Sequence, residues 1–138
     1  MSRRIQISAG KLSLPAALSG GTTADRLGAA LAGGPTADLL WEALPVTGKA
    51  NTWGEEIYFP IPLQAPQEPG AREEMQVGEI AFWPPGGAFC IFFGPTPASA
   101  GEAHRAASPV NPLGRVEGDV RLFRAVRPGT EVRLERAP

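Results

Sequence analysis

Gly78-Glu79-Ile80-Ala81-Phe82-Trp83-Pro84-Pro85-Gly86-Gly87-Ala88-Phe89-Cys90-Ile91-Phe92-Phe93 is the stretch whose reading decides the fold. Glu79 to Trp83 reads as a strand, ended by the rigid Pro84-Pro85 pair and two glycines. Ala88 to Phe93 is an unbroken apolar run of six. It is too short for a core helix and is flanked by glycines, which predicts a central strand buried on both faces.

Working back from this pair, Ile57, Phe59, Ile61 and Leu63 alternate with Tyr58, Pro60, Pro62 and Gln64, a strand with one buried face. Backbone N–H groups alternate in direction along a strand, so Pro60 and Pro62 remove donors from one edge. That edge is expected to be unpaired or bordered by a loop. Pro35 and Asp38 suit the first turn of a helix, and Ala37, Leu40, Trp41 and Leu44 follow at helical spacing until Pro45 stops it. Ile5 and Ile7, then Leu12 and Leu14, alternate around Ala9-Gly10 as a hairpin or bulged strand. Residues 15–34 leave two alternatives open: a short helix capped by Thr22 or Thr23, or a strand at Ala29-Ala30-Leu31.

Working forward, Gly94 to Pro109 shows no apolar period and is expected to be a long loop, with Val110 and Leu113 in one more strand. Gln67 to Glu74 likewise reads as a charged surface loop. Asp119 is placed to cap a short helix carrying Val120, Phe123 and Val126. Arg127 to Thr130 is a turn, and Glu131 to Arg136 is a closing strand with Val132 and Leu134 inward. Six to eight strands and two short helices suit a closed barrel.

The totals agree with one small domain spanning residues 1–138. Fifteen prolines and seventeen glycines, dispersed among apolar runs, favour many turns and short strands over a helical bundle. A net charge of -1 leaves no basic field for nucleic acid. Cys90 is the only cysteine, so no intrachain disulfide forms and a cytoplasmic setting is expected. No apolar run approaches the roughly 18 residues of a membrane span.

The blocks Asn51-Thr52-Trp53-Gly54-Glu55-Glu56-Ile57-Tyr58-Phe59, Gly78 to Gly86, and Phe92-Phe93-Gly94-Pro95-Thr96-Pro97 resemble a prokaryotic cyclophilin-like family of poorly characterised function. A weaker match is Ala107-Ser108-Pro109-Val110-Asn111 with Gly114 and Arg115; together the matches cover roughly residues 35 to 118. Cyclophilin-type prolyl isomerases are more distantly similar. The resemblance implies a mostly β fold: a closed antiparallel β-barrel of about eight strands with a short helix over each open end. Prolyl isomerisation faces a barrier of about 18–20 kcal/mol. Cyclophilins lower it with an apolar proline pocket and an arginine aimed at the prolyl amide. By resemblance that arginine falls at or beside Phe59 and a backbone-binding glutamine near Phe89, so the main electrostatic device is missing.

Among the candidate chemical groups, Glu55 and Glu56 are adjacent and point to opposite faces of any strand, so they act together only if the backbone turns between them. Trp53, Tyr58 and Trp83 would stack a planar group or a proline ring if they face a common cleft; core packing explains each equally well. Asn51 and Asn111 suit hydrogen bonds to loop backbone. Cys90, between Phe89 and Ile91, reads as a buried inert thiol, and His104 has no second ligand at metal spacing. No zinc spacing, phosphate loop, nucleophile elbow or dinucleotide fingerprint occurs, so neither metal nor cofactor is expected.

The leading reading is a binding module for a peptide segment or a small metabolite, with a cleft lined by Trp53, Tyr58, Trp83, Phe89 and Phe92 and anchored by Asn51 and Glu55. The alternatives are a divergent prolyl isomerase and a hydrolase using Glu55 or Glu56 as general base. The Pro60/Pro62 edge and an exposed apolar barrel end offer surfaces for a homo-oligomer.

Overall fold

The computed structural model describes residues 3–18, 35–97 and 104–137. Ten strands carry it: β1 (Arg3–Ala9), β2 (Leu12–Leu18), β3 (Val46–Lys49), β4 (Asn51–Thr52), β5 (Glu56–Pro60), β6 (Arg72–Met75), β7 (Glu79–Trp83), β8 (Ala88–Phe92), β9 (His104–Val116) and β10 (Glu131–Arg136). The helical elements among the described residues are α1 (Pro35–Ala43) and 3-10 turns at Pro84–Gly86 and Val120–Ala125. The fold is mostly β, and its sheet is antiparallel in the order β3-β10-β1-β2-β9-β7-β8-β5-β4, with β6 paired to β9 alone.

The expected closed barrel needs correction, because no ladder joins the first and last strands of that order. Both ends of the sheet belong to one stretch of chain: β3 pairs with β10, and after Ala50 the chain continues as β4 on β5. Ile61 donates its N–H to Gly87 O on the β8 side, so the nitrogens of Pro60 and Pro62 face the other edge, where they have no proton to give. The edge predicted to be unpaired lies at this gap. Gly48 packs there against Phe59 and Pro60, and a Cβ on it would stand 2.6 Å from the Phe59 ring. The wall is therefore completed by packing and by the bend at Ala50.

The core follows the alternation read from the sequence. Ile5 and Ile7 of β1, Ile57 and Phe59 of β5, Ile80 and Phe82 of β7, and Phe89 and Ile91 of β8 point into one apolar interior. Phe59 and Phe89, directly opposite in register, bring their rings to 5.5 Å, an arrangement worth about 0.5–1.5 kcal/mol beyond burial alone. As expected, β8 is buried along its whole length, because its other face is covered too. A second, smaller cluster of Met75, Ala81, Cys90, Phe92, Ala106 and Val110 lies on that outer face.

The outer cover comes from a strand that the sequence reading treated as loop. β9 begins at His104, not near Val110: its first half pairs with β6 and its second half with β7 and β2. Likewise Arg72–Met75 is a strand, where a charged loop was expected. The pairing skips residues at Ile80/Ala81 and between Arg72 and Glu74, and such bulges bend a strand sharply. This bend carries Ala106 and Val110 over β7 and β8.

The Ile5/Leu12 alternation forms a true hairpin, turned at Gly10 with φ +60°. α1 is fixed near the start of β1 by the Arg3–Asp38 ion pair (2.9 Å) and by Arg136 donating to Trp41 O. The Val120–Ala125 turn, capped by the Asp119 side chain accepting from Arg121 N, buries Val120 and Phe123. Phe123 meets Phe93 just beyond β8. Of residues 15–34, left open above, 15–18 belong to β2, and the helix and strand alternatives beyond them lie outside the described residues.

Candidate functional site

Tyr58 and Glu56 sit two residues apart on β5, so both point to the outer face, opposite Ile57 and Phe59. Cys90 lies opposite Tyr58 on β8, and Phe92 opposite Glu56. Trp53 enters from the turn before β5, where Trp53 N donates to Glu56 O at 3.0 Å. Trp83 stands at the end of β7. Its indole N–H donates to Ser108 Oγ at 2.6 Å, and Gly86 lies beneath the ring, where a Cβ would approach to 2.6 Å. The rigid Pro84–Gly86 turn and the arched β9 thus hold this ring in place.

These side chains enclose a cavity of about 240 Å³ lined by Trp53, Glu56, Tyr58, Trp83, Cys90, Ala106, Ala107 and Val110. Three of the expected aromatics, Trp53, Tyr58 and Trp83, therefore share one site. The others do not line it. Phe89 points the opposite way into the barrel interior, Phe92 is wholly buried in the small outer cluster, and Asn51 is exposed, its amide near Lys49 O and Tyr58 O. Glu55 turns away as well, pairing with Arg124 and lying against Gly94.

The acidic group of the cavity is Glu56. It is only 5% exposed, and its Oε1 accepts no hydrogen bond from any described residue. Burial pushes its carboxyl from the ordinary 4.5 up to about 7, while the neighbouring Cys90 thiol draws it part of the way back. The same burial, with the Glu56 charge beside it, drives the Cys90 thiol well above its usual value. Cys90 is thus a poor nucleophile. Sequence reasoning offered Glu56 as half of a pair with Glu55 or as an alternative general base; the decisive sign was its even spacing from Tyr58. Ala106, Ala107 and Val110 carried no such sign, because they reach the site only through the fold of β9.

No positively charged side chain is found among the described residues that line the cavity, so none of them fills the place of an electrophilic arginine. Among the described residues no cluster of three His, Cys, Asp or Glu is placed to hold a metal ion. No described helix is long and apolar enough to cross a membrane.

The sequence profile of the cyclophilin-like family matches residues 3–135, nearly the whole chain. The chain belongs to the cyclophilin-like family. Among solved structures, a hypothetical protein from Archaeoglobus fulgidus, determined in solution, is similar to it at 30% identity with a TM-score of 0.77. That alignment covers 99% of this chain and 95% of the archaeal protein. No curated protein matches the sequence. Membership of the cyclophilin-like family thus rests on the full length of the fold, including the arched β9 that covers the cavity.

Proposed function

We propose that this cyclophilin-like domain is a binding module that seats a small metabolite, or one side chain of a peptide segment, in the cavity between Trp53 and Trp83. The observation that carries this reading is the Glu56 carboxylate, which lines a cavity otherwise walled by aromatic and small apolar groups and has one buried oxygen without a partner among the described residues. Such a group costs roughly 1–3 kcal/mol or more when left unpaired, and a ligand that hydrogen-bonds it recovers part of that. The volume lies below the roughly 300–1,000 Å³ of pockets for drug-sized molecules, which favours a compact ligand.

The same lining argues against efficient prolyl isomerisation. An apolar cleft can hold a proline ring, but no lining cation is aimed at its amide. For a hydrolase, Glu56 is the better candidate base than Glu55, which is engaged by Arg124. Among the described lining residues no activating partner beyond Cys90 and Tyr58 accompanies it, so binding is the stronger reading. A fragment screen followed by the three indole N–H signals in nuclear magnetic resonance tests it. Ligands should shift the Trp53 and Trp83 signals and leave Trp41, on α1, in place; a library that moves neither cavity indole sinks the proposal.

A further inference from the structure

We infer that the cavity beneath β9 recognises a small organic ammonium group on a short aliphatic stem, held by the Glu56 carboxylate among Trp53, Tyr58 and Trp83. The inference rests on the ligand-binding reading above and adds the charge and class of the ligand.

Three features on one face of the sheet lead to it. The anchor is the Glu56 carboxylate, the acidic residue of the described lining, which attracts a cation or a hydrogen-bond donor. The walls are two tryptophans and a tyrosine, and aromatic faces carry negative charge density that attracts cations, tryptophan most strongly. The remaining lining (Ala106, Ala107, Val110, Cys90) offers no charge to compete for the anchor and suits a methylene stem. An anionic ligand would face a carboxylate in a low-dielectric pocket, and a neutral alcohol would gain no attraction from the rings.

Among the described lining residues, the groups beside Glu56 that carry a titratable proton are Tyr58 on its own strand and Cys90 on β8, whose thiol is driven well above its usual value, and β9 presents Ala106 and Ala107 to the cavity. Among the described lining residues Glu56 is the acidic one. An alkylammonium stays protonated throughout pH 6–8, whereas the carboxyl passes through its own titration near pH 7. Binding requires the ionised form, so affinity should rise about tenfold from pH 6 to pH 8. This rise comes with proton release on binding.

The shared chemistry has two sources, a free amine and the lysine side chain of a peptide. The experiment compares n-butylammonium, n-butanol, butyrate and Nα-acetyl-lysine amide by calorimetry and by the indole signals of the intact chain. The expected result is n-butylammonium binding at least tenfold tighter than n-butanol at pH 8, with butyrate not binding. Acetyl-lysine amide binding as tightly as n-butylammonium assigns the site to a peptide side chain; its exclusion assigns the site to a free amine. Glu56→Gln, which removes the charge and keeps the shape, should bring the ammonium and the alcohol within about twofold of each other.

Equal binding of n-butanol, or an ammonium preference that survives Glu56→Gln, overturns the inference while leaving the cavity as a ligand site. Silence from every probe overturns the inference, and the binding reading falls with it only if the fragment library also moves neither cavity indole.

Discussion

The Glu55 side chain occupies the space that a side chain at Gly94 would need: a Cβ on Gly94 would stand 2.8 Å from Glu55 Cβ and 2.5 Å from Glu55 Cδ. On the other side of the same turn, Gly54 (φ +62°) presses on Pro95 and Thr96, with a Cβ there 2.8 Å from Pro95 O. Glu55 N donates to Pro95 O and Phe93 N to Glu55 O. The blocks Asn51 to Phe59 and Phe92 to Pro97 are thus two halves of one interlock, which orients Trp53 and Glu56 at the cavity. Gly94→Ala should destabilise the fold by about 1–3 kcal/mol by overpacking. In a Glu55→Ala background the carboxyl is gone and part of that penalty should vanish, while the 2.8 Å approach to the Cβ at position 55 remains. A double-mutant cycle in urea should read a coupling of about 1 kcal/mol or more; strict additivity would show that the two residues do not compete for space.

Glu56 makes stability depend on pH in the direction opposite to a salt-bridged carboxylate. Its folded value of about 7 lies above its ordinary 4.5, so between these limits the native state holds a proton that the unfolded chain has released. Stability from this group is therefore complete below about pH 4.5 and is lost as pH rises through 7. The full excursion corresponds to about 3 kcal/mol. Glu56→Gln, always neutral, should flatten this slope and be the more stable protein at pH 8, by about 2–3 kcal/mol. Urea midpoints measured at pH 5 and pH 8 check it; a variant less stable than wild type at pH 8 would show that the carboxylate is satisfied in its charged form.

Asn111 shows how a polar side chain holds β9 to the rest of the fold. It is wholly buried. Its Oδ1 accepts from Glu68 N at 2.8 Å, and its Nδ2 donates to Pro66 O at 2.9 Å and to Thr36 Oγ1 at 3.0 Å. Glu68 in turn accepts from Thr36 N at the start of α1. Asn111→Ala or Asn111→Leu leaves buried backbone groups without partners and should cost about 2–4 kcal/mol. Hydrogen exchange should show faster opening at the start of α1 and at residues 66–68, with the Ile5–Ile7 strand less affected.

The barrel interior was legible because burial on one face leaves a period of two, as in Ile57/Phe59 and Val132/Leu134. The doubly covered β8 was legible because it is apolar at every position. The outer layer was not. β6 reads Arg-Glu-Glu-Met and is exposed at its first three residues, and β9 opens on His104 and Arg105 followed by the small residues Ala106 to Ser108, so neither carries a hydrophobic period. Their pairing with each other makes them strands. The site inherited this blind spot: Trp53, Tyr58 and Trp83 stood out as aromatics, but assigning Phe89 to the cleft overlooked its alternation with Cys90. Glu55 looked like the anchor because the turn drew attention to it. The step from Glu55 to Glu56 is a single residue, and on a strand a single residue changes the face.

Cys90 gives a chemical probe of that face. Its thiol is 1% exposed, and burial together with the Glu56 charge raises its ionisation well above that of a free thiol. The thiolate is the reactive form, so iodoacetamide at pH 8 should modify the native protein at least about tenfold more slowly than the urea-unfolded chain. Glu56→Gln removes the neighbouring negative charge and should quicken the reaction, whereas filling the cavity should slow it further. Mass spectrometry against time reads all three rates. Fast modification of the native chain would mean that Cys90 is open to solvent, and the enclosed floor described for the cavity would have to be abandoned.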